Sequence, residues 1–83
     1  MMKLMLYTTL HVKNQPVAYK IYFDGVERKY YFKTDRYHLE HPSFYIWHFR
    51  KQWLFEGIDN KYLQEQAIED MQNILEMNER PIM

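Results

Sequence analysis

The stretch that most constrains the fold is Val17 to Phe32, which reads V-A-Y-K-I-Y-F, then D-G, then V-E-R-K-Y-Y-F. Two runs of aromatic and β-branched residues flank an Asp-Gly pair, the strongest short-range hairpin signal, because a two-residue type I′ turn needs positive φ at both positions. Such a turn pairs Phe23 with Val26, Ile21 with Arg28, Tyr19 with Tyr30 and Val17 with Phe32. Side chains alternate with period two. One face is therefore mostly apolar, and the other carries Ala18, Lys20, Tyr22, Glu27, Lys29, Tyr31 and Lys33.

Residues 3–13 alternate as well, with Leu4, Leu6, Thr8, Leu10 and Val12 on one side and Met5, Tyr7, Thr9, His11 and Lys13 on the other. This predicts a first strand. Asn14-Gln15-Pro16 supplies turn chemistry, and Pro16, which cannot donate to a ladder, is expected outside the strands. With Val12 opposite Val17, Leu10 meets Tyr19, Leu6 meets Phe23, and the apolar faces of three strands coincide. Residues 34–42 read as a polar, exposed connector.

Residues 43–50, S-F-Y-I-W-H-F-R, favour a fourth strand by composition. Tyr45, Trp47 and Phe49 then share one face, and Phe44, Ile46 and His48 the other. A second helix over 42–56 is the alternative, with Pro42 at its start and Gly57 past its end. Over 59–79 the helical period is clear. Leu63, Ala67, Ile68, Met71, Ile74 and Leu75 form one stripe, Asp59 or Asn60 can cap the start, Glu76 and Arg80 are spaced to pair, and Pro81 ends it. The expected architecture is one α+β domain over residues 1–83: an antiparallel meander of three to four strands packed on a long C-terminal amphipathic helix.

At 83 residues such a domain has little core, and the 18% aromatic content is one way to make that core efficient. There is no cysteine, which removes disulfides and thiolate metal sites and favours a reducing, cytoplasmic setting. No secretory signal or membrane-length apolar run is evident. Net charge is zero but segregated: +1 over residues 1–27, +4 over 28–53 and −5 over 54–83.

Four constellations bear on function. Tyr7, Lys20, Tyr22, Lys29, Tyr31 and Lys33, with His11, share a sheet face on which rings could stack on bases and ammonium groups could meet phosphates. The plainer reading is an ordinary solvated sheet face guarded by lysine. Tyr45, Trp47, Phe49, Arg50 and Trp53 have the composition of a protein-interface core, whether for a homodimer or another protein; the plainer reading is that they are the domain's own core. His38, His41 and His48 have a spacing that could feed zinc, but solvated loop histidines are far commoner, and no metal or cofactor is expected. Together with Glu40, Arg50 and Lys51 they are also the residue types of a metal-independent ribonuclease, though no spacing rule is met. Ser43 is the one serine, and two glycines cannot build a phosphate-cradling loop. A drug-sized pocket is hard to fit in so small a core. The sequence thus points to a non-catalytic binding or regulatory protein acting on a macromolecule through the aromatic patch, with a nucleic-acid module next and a ribonuclease a remote third.

Overall fold

A computed structural model of the chain describes residues 2–35 and 41–79, with side chains as far as residue 77. Five strands, β1 (Met2–Val12), β2 (Gln15–Asp24), β3 (Lys29–Lys33), β4 (Phe44–Phe49) and β5 (Gln52–Glu56), precede one helix, α1 (Lys61–Glu79). The strands form a single antiparallel sheet in the order β1-β2-β3-β4-β5. The fold is the expected α+β meander-plus-helix, with one strand more than the three to four anticipated. Residues 42–56 are not a helix: they hold β4, a tight turn and β5.

The Asp-Gly pair does not make a two-residue turn. The loop is four residues, Gly25–Arg28, and Gly25 keeps a negative φ while Arg28 takes φ 58°. Asp24 organises it. Its Oδ1 accepts from the backbone N–H of Val26 (3.0 Å) and Glu27 (3.2 Å), and its carbonyl accepts from Arg28 N–H at 2.8 Å. The pairing becomes Ile21 with Phe32 and Phe23 with Tyr30. A two-residue turn would have set Arg28 against Ile21 in the core, at the cost of a buried charge. The longer loop leaves Arg28 in solvent and brings the Phe23 and Tyr30 rings together instead, 5.0 Å apart and tilted by 47°. The register moves by an even number of residues, so the division into faces survives.

The type I′ geometry occurs elsewhere. Lys13 and Asn14 (φ 50° and 64°) join β1 to β2, and Arg50 and Lys51 (φ 52° and 65°) join β4 to β5. The first of these turns sets Val12 opposite Gln15 and Leu10 opposite Val17, and it draws Pro16 into β2 opposite His11. That position suits proline because β3 pairs only with Lys20–Asp24, leaving no neighbour on the other side to miss its donor. A β-bulge between Leu4 and Leu6 also breaks the expected alternation: Leu4 now opposes Tyr22 on the other face, and Met5 packs on the core.

The core lies between one sheet face and α1. It contains Leu10, Val12, Tyr19, Ile21, Phe32, Phe44 and Ile46 from the strands and Leu63, Ala67, Met71 and Ile74 from the helix. Phe44 stacks on Phe32 at 4.8 Å and meets Tyr19 edge-on at 5.8 Å. Asn60 caps α1, its Oδ1 accepting from Tyr62 N–H (2.9 Å) and Leu63 N–H (3.4 Å). Gly57 enters the connection to α1 at φ 93°, a value that disfavours any side chain there. The connector before β4 is not wholly exposed, since His41 is buried and Pro42 accepts the Tyr19 hydroxyl at 2.8 Å. Arg80 and Pro81 lie outside the described residues.

The candidate binding face

The sheet face turned away from α1 is built from alternate residues of all five strands. Reading across the pairing, Leu4, Tyr22, Tyr31, Tyr45 and Glu56 form one row. Asp24, Lys29, Trp47 and Leu54 form the next, and Tyr7, Lys20 and Lys33 flank the first row on its other side. Among the described residues no element packs on this face. Tyr31 and Tyr45 stack at 4.7 Å with their planes 29° apart, and the Lys29 ammonium sits 4.3 Å from the centre of the Trp47 ring. Of the large rings on this face, Tyr7 and Phe49 are the most exposed, at 68% and 55%.

The two groups singled out from sequence therefore fall largely on one surface. Tyr7, Lys20, Tyr22, Lys29, Tyr31 and Lys33 share it with Tyr45, Trp47 and Phe49. Arg50 sits in the β4–β5 turn, its guanidinium 5.1 Å from the Phe49 ring centre. Trp53 does not join them. It opposes His48 on the helix side, in ring contact at 4.8 Å, and packs against the core. The sequence reading of this face omitted Leu4, which only the bulge brings there, Asp24, which joins it once β2 runs on to the four-residue loop, and Leu54 and Glu56, which follow once β5 is recognised as a strand.

The charges are mixed. Lys29 Nζ lies 3.5 Å from Glu56, and Lys20 Nζ lies 4.0 Å from Asp35. Asp24, Glu27 and Glu56 gather with Lys29 and Tyr45 around a shallow hollow at one end. Lys20 and Lys33 are direct cross-strand partners at the other end, an arrangement that is destabilising unless an anion is near.

The histidine group divides. His38 and Glu40 lie outside the described residues. His41 is buried before β4, whereas His48 is exposed near the far end of that strand. Among the described residues no group of three histidine or carboxylate side chains is placed to hold a metal ion. No helix among them is long and apolar enough to cross a membrane. Set against family models, curated proteins and solved structures, the chain matches none.

Proposed function

We propose that the protein is a small, non-catalytic binding protein of the cytoplasm whose open sheet face takes the surface of another protein molecule. One observation carries this reading: the unbroken row Leu4–Tyr22–Tyr31–Tyr45, widened by Trp47 and Leu54, which no described element covers. Aromatic, aliphatic and tyrosine side chains in a contiguous patch are what interface cores are made of. Two of the three lysines on the face already lie beside carboxylates, which weakens its pull on phosphates. The absence of cysteine supports the reducing compartment. The test compares wild type with Tyr31→Glu and Trp47→Arg, each verified as folded by circular dichroism, as baits for affinity capture followed by direct binding to whatever is recovered. Recovery by wild type alone is expected. Equal recovery by all three, or by none, would sink the proposal.

The Lys20–Lys33 pair favours a second reading, a single-stranded nucleic-acid platform with Tyr7, Tyr22 and Tyr31 as stacking surfaces. Titration with mixed-sequence RNA separates the two, because phosphate contacts make affinity fall linearly on a log–log salt plot.

A further inference from the structure

We infer that the free edge of β1 is a second docking site, which takes up an extended segment of another protein as an added strand with alternating apolar and basic residues. The site is separate from the open face, although Leu4 and Tyr7 border both. The backbone supplies the first argument. β1 pairs with β2 on one side only. His11 opposes Pro16, which has no N–H to give, and the His11 N–H and carbonyl turn outward to Gln66. In an antiparallel ladder such outward groups recur at every second residue. Those of Thr9 and Tyr7 therefore also point away from the sheet, and nothing among the described residues pairs with them. The slot they form runs from the bulge at Leu4–Leu6 to the Gln66 clamp. Unpaired backbone groups in a row select one kind of occupant, an extended strand.

The two sides of the slot supply its chemistry. On the open side an added strand lies beside Leu4 and Tyr7, both exposed. On the other side it runs along the flank of α1, which the contacts of Gln66 with His11 and of Asp70 with Thr8 place beside β1. Exposed Met77 follows Asp70 on that flank after two helical turns. From residue 62 to 79 the helix carries Glu65, Glu69, Asp70, Glu76 and Glu79 and no lysine or arginine. On the β1 side Lys3 stands against them, near the strand's start, while Lys13 and Lys61 border a hollow past the Gln66 clamp. Strand side chains alternate between the two sides. A segment seated here thus turns apolar groups to Leu4 and Tyr7 and lysine or arginine to Glu69 and Asp70. The same charges disfavour a second copy, because pairing two β1 strands antiparallel sets two acidic α1 flanks against each other.

The probe is a blocked peptide of alternating lysine and valine, with one of alternating glutamate and valine as control. Amide chemical shifts and hydrogen exchange of the full chain report where it binds, and calorimetry how tightly. The lysine peptide should shift the Tyr7 and Thr9 amides and slow their exchange, leaving β5, the other edge, unchanged. Thr9→Pro removes an outward N–H that the β1–β2 ladder does not use, so the fold is kept. It should weaken binding about tenfold, the worth of one backbone hydrogen bond. Glu69→Lys, a surface change, should also weaken it, and Tyr31→Glu on the open face should have no effect. A lysine peptide that leaves Tyr7 and Thr9 unperturbed overturns the site. Equal binding of the glutamate peptide overturns its basic chemistry. Perturbation confined to Tyr22, Tyr31 and Tyr45 overturns the edge site and supports the open face alone. Self-association that Thr9→Pro abolishes overturns the foreign segment and makes a second copy the occupant.

Discussion

The covered and open faces of the sheet are cut from alternate residues of the same strands, and they differ in how their tyrosines are treated. Under α1, Tyr19 is 1% exposed, and its hydroxyl has a dedicated acceptor in the Pro42 carbonyl. Burial pushes its phenol, and that of Tyr30, above the ordinary range. On the open face Tyr22, Tyr31 and Tyr45 are only half-buried, and Tyr31 and Tyr45 lean on one another's rings. A tyrosine can be sealed in a core only where its polar tip is satisfied. A face with several tyrosines and no cover leaves those tips for water or for a partner. Tyrosine occurs on both faces, and it is the helix that decides which of the tyrosines are sealed.

β4 offers the sharpest way to break that comparison, because its residues alternate between the faces. Phe44→Ala removes a ring stacked on Phe32 and is expected to destabilise the fold by about 3–5 kcal/mol. Tyr45→Ala, one residue on, gives up mainly a cross-strand stack and should lose about 1 kcal/mol in the monomer. Chemical denaturation of both variants at low protein concentration measures the contrast. Equal losses would mean that the open face is as much a core as the covered one.

A smaller effect probes how the cover is fastened. Gln66 on α1 grips the backbone of His11 at both ends: its Oε1 accepts from His11 N–H at 2.8 Å, and its Nε2 donates to the His11 carbonyl. Because β1 is an edge strand, these two bonds also occupy groups that another chain could pair with. Gln66→Ala should cost about 1 kcal/mol, since the bonds are exposed to competing water. Backbone hydrogen exchange should rise at His11 and stay unchanged in β4. Unchanged protection at His11 would show that apolar packing alone seats the helix there.

Much of this architecture was legible in the residues. The face division and the helix stripe follow from period-two and helical spacing, which depend on the chain's own geometry, whereas the strand over 44–49 was favoured by composition alone, against a helix over 42–56. What was not legible follows from interactions between segments. The Asp24-Gly25 loop lengthened because Phe32 pairs better with Ile21 than Arg28 does, a preference visible only once a helix covers that face. The β4–β5 turn was hidden because Arg50 and Lys51 carry no glycine or asparagine to announce positive φ, so local strain is accepted there for the sake of the ladder. The bulge that brings Leu4 to the open face has no local marker. Trp53 was grouped with Trp47 by proximity in sequence, and the intervening turn placed the two on opposite sides.

The smallest test of the comparison concerns a polar contact on the covered side. Asp70 on α1 accepts the Thr8 hydroxyl at 3.0 Å. Partial burial raises its carboxyl above the usual carboxylate range; the Thr8 bond opposes this, and neighbouring Glu69 adds to it. A carboxyl that binds its proton more tightly in the folded state stabilises the fold under acid conditions. That contribution is complete below the unfolded pKa and is lost as pH rises through the folded one. Ionising Asp70 therefore comes at some expense to the packing between helix and sheet. Asp70→Asn keeps the shape and an acceptor for Thr8 but removes the charge. Its melting temperature should exceed that of wild type at pH 7, and the advantage should vanish as pH falls below the ordinary carboxylate range. A lower melting temperature for Asp70→Asn at pH 7 would mean that the charged form of the Thr8 bond outweighs desolvation. The covered face would then be held to α1 by a charge-assisted hydrogen bond as well as by its apolar stripe.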